Sequence, residues 1–98
     1  MAHVQVTRQA LADLERLFEF IAETDPVRAR RQLLSVRRAL ELLADHPLLG
    51  RDAEDGRREL LLSRGRDGYV AKYRWIPAAG TVLVLAVRHA REVGFPEE

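Results

Sequence analysis

Cysteine is absent from this 98-residue chain. Its absence excludes a disulfide scaffold, thiol catalysis and every thiolate metal site. Long apolar runs are missing as well: Val82–Val87 falls far short of the ~20 residues that cross a bilayer. The opening Met1-Ala2-His3-Val4 has neither the basic nor the apolar segment of a secretory leader. Serine is confined to Ser35 and Ser63, neither of them in a nucleophile elbow, so a Ser-His-Asp triad is not expected. His3, His46 and His89 stand far apart without ligand partners at a metal-binding spacing. The glycines do not form a phosphate loop between a strand and a helix. These absences together point to a cytoplasmic protein without metal or cofactor.

What remains is one domain spanning residues 1–98, with room for a single modest core. Its charge is nearly balanced, at +1, but unevenly placed. Asp13, Glu15, Glu19, Glu23 and Asp25 make one stretch acidic, and Arg28, Arg30, Arg31, Arg37 and Arg38 make the next basic. The plain explanation is a helical hairpin dressed for water; the other is a partner-binding face. Fifteen of the sixteen basic residues are Arg, which reflects genomic base composition as readily as phosphate recognition. Direct sequence-specific DNA binding is therefore not inferred.

Periodicity gives the elements. His3-Val4-Gln5-Val6 alternates as an edge strand, and Thr7 is placed to cap a helix beginning at residue 8. Ala10, Leu14, Leu17 and Ile21, widened by Leu11 and Phe18, predict an amphipathic helix over about residues 8–23. Asp25-Pro26 restarts the chain, since Asp caps and Pro suits the first helical turn. Ala29, Leu33, Val36, Leu40 and Leu43 carry a second helix over about 26–44, which His46-Pro47 stops. The short link makes the two an antiparallel hairpin. Strands are expected at 58–62, 69–76 and 81–87, with a turn at Gly65-Arg66-Asp67-Gly68 and a hairpin turn at Pro77-Ala78-Ala79-Gly80. The fold class is α+β, an N-terminal strand and a helical hairpin packed on a three-stranded antiparallel sheet. Its expected core is Leu14, Leu17, Phe18, Ile21, Leu33, Val36, Leu40 and Leu43 against Val4, Val6, Leu83, Leu85 and Val87.

The last strand stops abruptly in Arg88-His89-Ala90-Arg91-Glu92, a cluster of donors at the end of a rigid element. Residues two apart on a strand share a face, so His89 and Arg91 are expected side by side, fit to hold a phosphate or poise a general acid. The alternative is a polar strand end at the solvent rim. Tyr69 and Tyr73 alternate on one face with Ala71 and Trp75; they either stack bases or fill the core.

Five segments in register resemble the ParE/RelE toxin superfamily of bacterial type II toxin–antitoxin modules. They are Ala10-Leu11-Ala12-Asp13-Leu14, His46-Pro47-Leu48-Leu49-Gly50-Arg51, Arg58-Glu59-Leu60, Gly68-Tyr69-Val70-Ala71-Lys72-Tyr73-Arg74 and Val87-Arg88-His89-Ala90-Arg91. The resemblance implies a cytoplasmic toxin held inactive by a cognate antitoxin encoded by the adjacent gene. RelE-like members cut messenger RNA on the ribosome with basic residues of the sheet and often a C-terminal Tyr. Here Val70 stands where an Arg follows Gly-Tyr in such enzymes, and Phe95 falls at the place of the Tyr. A phenyl ring moves no proton. ParE-like members instead share the Tyr-x-x-x-Tyr-Arg and Arg-His-x-Arg segments and inhibit DNA gyrase by direct contact. The resemblance therefore implies a gyrase inhibitor without catalytic residues, touching its target through Tyr73, Arg74, Arg88, His89 and Arg91. In the ribonuclease alternative, His89 and Arg91 are catalytic. Arg28, Arg31 and Arg38, near one helical face, suit the acidic residues of an antitoxin peptide.

Overall fold

A computed structural model describes residues 1–63, 68–92, 94 and 95. Strand β1 (His3–Val6) leads into helices α1 (Arg8–Ala22) and α2 (Pro26–Asp45). Strands β2 (Arg51–Asp52), β3 (Arg58–Leu61), β4 (Tyr69–Ile76) and β5 (Thr81–His89) complete the order. Both helix starts are capped as the sequence predicts. Thr7 Oγ1 accepts from the Ala10 N–H at 3.1 Å, and Asp25 Oδ1 accepts from the Arg28 N–H at 3.1 Å with Pro26 opening the helix. The expected turn at Gly65–Gly68 lies, apart from Gly68, outside the described residues. Among the described residues, no helix is long and apolar enough to cross a membrane.

The strands form one five-stranded mixed sheet in the order β1-β5-β4-β3-β2, with β1 parallel to β5 and the other pairs antiparallel. This corrects the expected strand count. The two-residue β2 joins the sheet by pairing Arg51 with Glu59 and Asp52 with Arg58, too short a pairing to leave a periodic signal. The helical hairpin covers one face, α1 over β5 and α2 over β1, and leaves the other face open.

Leu83 and Leu85 were expected in the core, and the structure places Val82 and Val84 there instead. The cause is a β-bulge. Lys72 pairs with Ala86 and Tyr73 with Val84, so Leu85 is an extra residue that faces neither and reverses the parity of the strand. Val87 is buried, as expected, only because it lies beyond the bulge. Asp13, itself buried, accepts from the Val87 N–H through Oδ2 at 2.9 Å and from Gln9 Nε2 through Oδ1 at 2.9 Å. The Thr7 hydroxyl donates to the Leu85 carbonyl at 3.1 Å. The start of α1 thus satisfies the backbone that the bulge takes out of the ladder. Leu17, Ile21, Val36 and Leu43 are buried as expected; Leu14, Phe18, Leu40, Val4 and Val6 pack half-buried against them. Leu33 is 44% exposed and not part of the core, because it lies on the flank of α2.

Candidate functional site

Strand alternation divides the polar and aromatic residues of the sheet between its two faces. Tyr69 and Tyr73 point inward and are fully buried. The Tyr73 hydroxyl donates to the Pro47 carbonyl at 2.8 Å and accepts from the Gly50 N–H at 2.8 Å. Arg58 donates to the Gly50 carbonyl at 2.7 Å, so the segment after α2 is stapled from two strands. A Cβ on Gly50 would lie 2.7 Å from the Tyr73 ring and 2.7 Å from the Glu59 carbonyl, which only glycine avoids. Three of the family-like segments (46–51, 58–60 and 68–74) therefore meet in one structural joint. Tyr73 is corrected from a target contact to a core latch: its ring is inward and its hydroxyl is engaged. Burial pushes both phenols above their ordinary range, and at Tyr73 the Gly50 bond and Arg58 oppose the shift.

On the open face, register lines up Arg51, Glu59, Lys72 and Ala86 across four strands, with Leu61, Val70 and Arg88 in the next row. Arg51 Nη2 and Glu59 Oε1 pair at 2.6 Å. The Phe95 ring covers this row, 4.7 Å from Lys72 Nζ and 5.0 Å from Arg88 Cζ. Lys72 is only 6% exposed, and burial first, then the Arg57 charge, pull its ammonium below the ordinary lysine range against the pull of Glu59. A cleft of about 290 Å³ opens beside it, lined by Arg51, Asp55, Arg57, Glu59, Lys72 and Phe95. Among the described residues, no group of three or more His, Asp or Glu could hold a metal ion.

The strand-end residues do not form the expected cluster. Arg88 reaches the open face, and its Nη1 donates to the carbonyls of His89 at 3.2 Å, Ala90 at 3.3 Å and Glu92 at 3.1 Å. His89 is the last residue of β5 and lines a small apolar pocket with Arg16, Leu17, Phe20 and Glu92 on the α1 side. Its Nδ1 accepts the Arg91 N–H at 3.0 Å, so in this arrangement the ring proton sits on Nε2. Arg91 belongs to the turn after the strand, and the two side chains do not share a strand face. Arg74 is exposed on the open face of β4, one row beyond Lys72.

These strands, joint and hairpin are a known arrangement. Residues 4–94 match the family described as the ParE toxin of the type II toxin–antitoxin system parDE. The chain belongs to this toxin family. It is 35% identical over 92 residues to a Caulobacter vibrioides protein named Toxin RelE3, covering 94% of this chain and 98% of that one. With Toxin RelE2 of the same organism it is 37% identical over 90 residues, covering 92% and 97%. Two solved structures share the fold. The chromosomal ParDE system from P. aeruginosa matches with a TM-score of 0.75 at 22% identity, covering 91% of this chain and 96% of that chain. The intact E. coli RelBE toxin–antitoxin complex matches with 0.63 at 16%, covering 94% and 100%.

Of the antitoxin contacts expected from their shared helical face, Arg31 and Arg38 are exposed on α2, whereas Arg28 is half-buried at the helix start. Arg38 lines an apolar groove of about 590 Å³ between α2 and the sheet edge, with Leu42, Leu49, Leu61 and Leu62. Arg51, Arg57, Glu59 and Lys72 join the site here without having been expected in it. Lys72, the only lysine, was legible on the face opposite the tyrosines, and Glu59 lay within an expected strand; Arg51 and Arg57 sit beside irregular segments without a period.

Proposed function

We propose that the chain is a cytoplasmic toxin that inhibits DNA gyrase by direct contact and performs no chemistry of its own. The observation that supports this most is at the end of β5. His89 is turned toward α1 with Nδ1 engaged by the Arg91 N–H, and the ring facing Lys72 and Arg88 is Phe95, which has no hydroxyl. The target contacts expected at Arg74, Arg88, His89 and Arg91 then fall on two surfaces, Arg74 and Arg88 on the open sheet face and His89 on the α1 side with Arg91 in the turn between them. Purified chain is expected to block supercoiling by gyrase while leaving messenger RNA intact on translating ribosomes. Arg91→Ala should weaken target binding by about 1–3 kcal/mol, and Phe95→Tyr should leave toxicity nearly unchanged. Ribosome-dependent cleavage that disappears in His89→Ala would overturn this reading.

A second reading, a ribosome-dependent messenger-RNA endoribonuclease, is supported by the open-face cleft. There Lys72, with its depressed pKa, lies beside Glu59 and Arg57. In that case Lys72→Ala or Glu59→Gln lowers cleavage on the order of 10²-fold or more.

In either reading the partner is a small antitoxin encoded by the adjacent gene. The P. aeruginosa ParDE and E. coli RelBE structures with this fold are themselves toxin–antitoxin systems. The groove beside Arg38 suits an apolar peptide with acidic flanks. The edge of β3 adjoins it: the Leu62 N–H bonds the Tyr69 carbonyl, so alternation turns the backbone of Leu61 outward, past the end of β2. An extended antitoxin segment can pair there.

A further inference from the structure

The two helices carry opposite charge on their outward faces and leave it unpaired. At 100° per residue, Glu15 and Glu19 fall on the outward side of α1 nearest α2. Arg30 and Arg37 fall on the outward side of α2 nearest α1, flanking Leu34, which is 50% exposed. The link of residues 23–25 is short, so positions equally far from it lie level, with Glu19 opposite the turn holding Arg30. Yet among the described residues none of Glu15, Glu19, Arg30 and Arg37 forms an ion pair. Toward the link the hairpin therefore shows Glu15 and Glu19 beside Arg30 and Arg37, and at its far end the signs reverse, with exposed Arg8 on α1 nearly level with exposed Glu41 on α2. Leu33 and Leu34 add exposed apolar side chains.

We propose that this face is a self-association surface on which two copies of the chain pack hairpin against hairpin. An acidic partner would match the arginine row and leave the glutamates facing like charge. A second copy matches both. A two-fold axis parallel to the helices lays α1 of one copy over α2 of the other, so that each acidic row meets one basic row and the contact occurs twice in one closed interface. A two-fold across the helices would set like on like. The groove beside Arg38 lies on the other flank of α2 and stays open in such a dimer.

Sedimentation of the full-length chain over a range of concentrations and salt tests this. A dimer is expected in low salt, dissociating as salt screens the rows. Glu15→Arg with Glu19→Arg should abolish it, as should Arg30→Glu with Arg37→Glu. An equimolar mixture of the two variants should restore it, because each row then meets its opposite again. A parent chain that stays monomeric throughout overturns the proposal, and so does a dimer unmoved by both reversals. So does a monomer that binds an acidic helical peptide through Arg30 and Arg37, which would assign the face to such a peptide. Both variants carry surface changes only, and unchanged circular dichroism separates lost association from lost folding.

Discussion

Tyr69 and Tyr73 are two buried phenols that differ in one respect, whether the hydroxyl has a partner. Tyr73 links Pro47 and Gly50, whereas the Tyr69 hydroxyl has no hydrogen-bond partner among the described residues. An engaged buried hydroxyl contributes about 0.5–1.5 kcal/mol, and orphaning its partners costs about 1–3 kcal/mol. Tyr73→Phe should therefore lower unfolding free energy by about 1–3 kcal/mol, measured by urea denaturation, while Tyr69→Phe should be neutral or slightly stabilising. A comparable loss for both would sink the distinction. Both phenols titrate above their ordinary value of 10.0, so the folded state holds these protons longer than the unfolded chain. Their contribution is complete below that pH and is lost as pH climbs through the raised values. Lys72 acts with the opposite sign: its depressed pKa makes the unfolded chain bind the proton more tightly, so its penalty fades as pH rises toward the ordinary lysine value. Lys72→Met should accordingly raise the melting temperature at pH 7, with the gain shrinking in alkaline buffer. The alternation of strand residues showed in the sequence that both tyrosines share a face with Ala71. Which hydroxyl would be satisfied was not readable, because the partners of Tyr73 come from a loop more than twenty positions away.

The elements were legible where periodicity or a cap announced them, at Thr7, Asp25-Pro26 and the two apolar stripes of the hairpin. They were illegible where a long-range contact decided the outcome. The bulge at Leu85 is such a case: nothing local distinguishes Leu83 from Val84 as a core residue, since both are apolar and both favour strands. The bulge is held by Asp13, seventy-four residues away, whose carboxylate takes the Val87 N–H. Removing it leaves a buried amide unpaired, and a hydrogen bond to a charged group is worth about 1.5–3 kcal/mol. Asp13→Ala should cost about that much stability, whereas Asp13→Asn, which keeps an acceptor oxygen, should cost clearly less. Equal losses would show that the carboxylate is not what holds the bulge. Leu17 tests the hairpin stripe separately, and Leu17→Ala should cost about 2–5 kcal/mol through loss of buried surface and the cavity left behind.

Taken whole, the molecule separates its chemistry by surface: an open sheet face with Arg51, Lys72, Arg74 and Arg88, a basic α2, an acidic α1, and an apolar groove at the β3 edge. The charge blocks were visible in the sequence, but their grouping with the groove was not, because Leu42, Leu49 and Leu61 come from three separate segments. A partner drawn to this groove approaches past Arg31 and Arg38, which are exposed and form no ion pair among the described residues. Such exposed charges act mainly on the encounter: they raise the association rate, and salt removes the effect over a Debye length of about 8–10 Å. Dissociation depends instead on the apolar side chains seated in the groove. Arg31→Glu with Arg38→Glu should slow antitoxin association, flatten its dependence on salt and leave dissociation almost unchanged. Leu61→Ser should do the reverse, speeding dissociation with little change in the on-rate. Stopped-flow kinetics with a cognate antitoxin, run from low to high salt, reads both. An on-rate indifferent to the charge reversals at every salt concentration would remove the α2 arginines from the encounter.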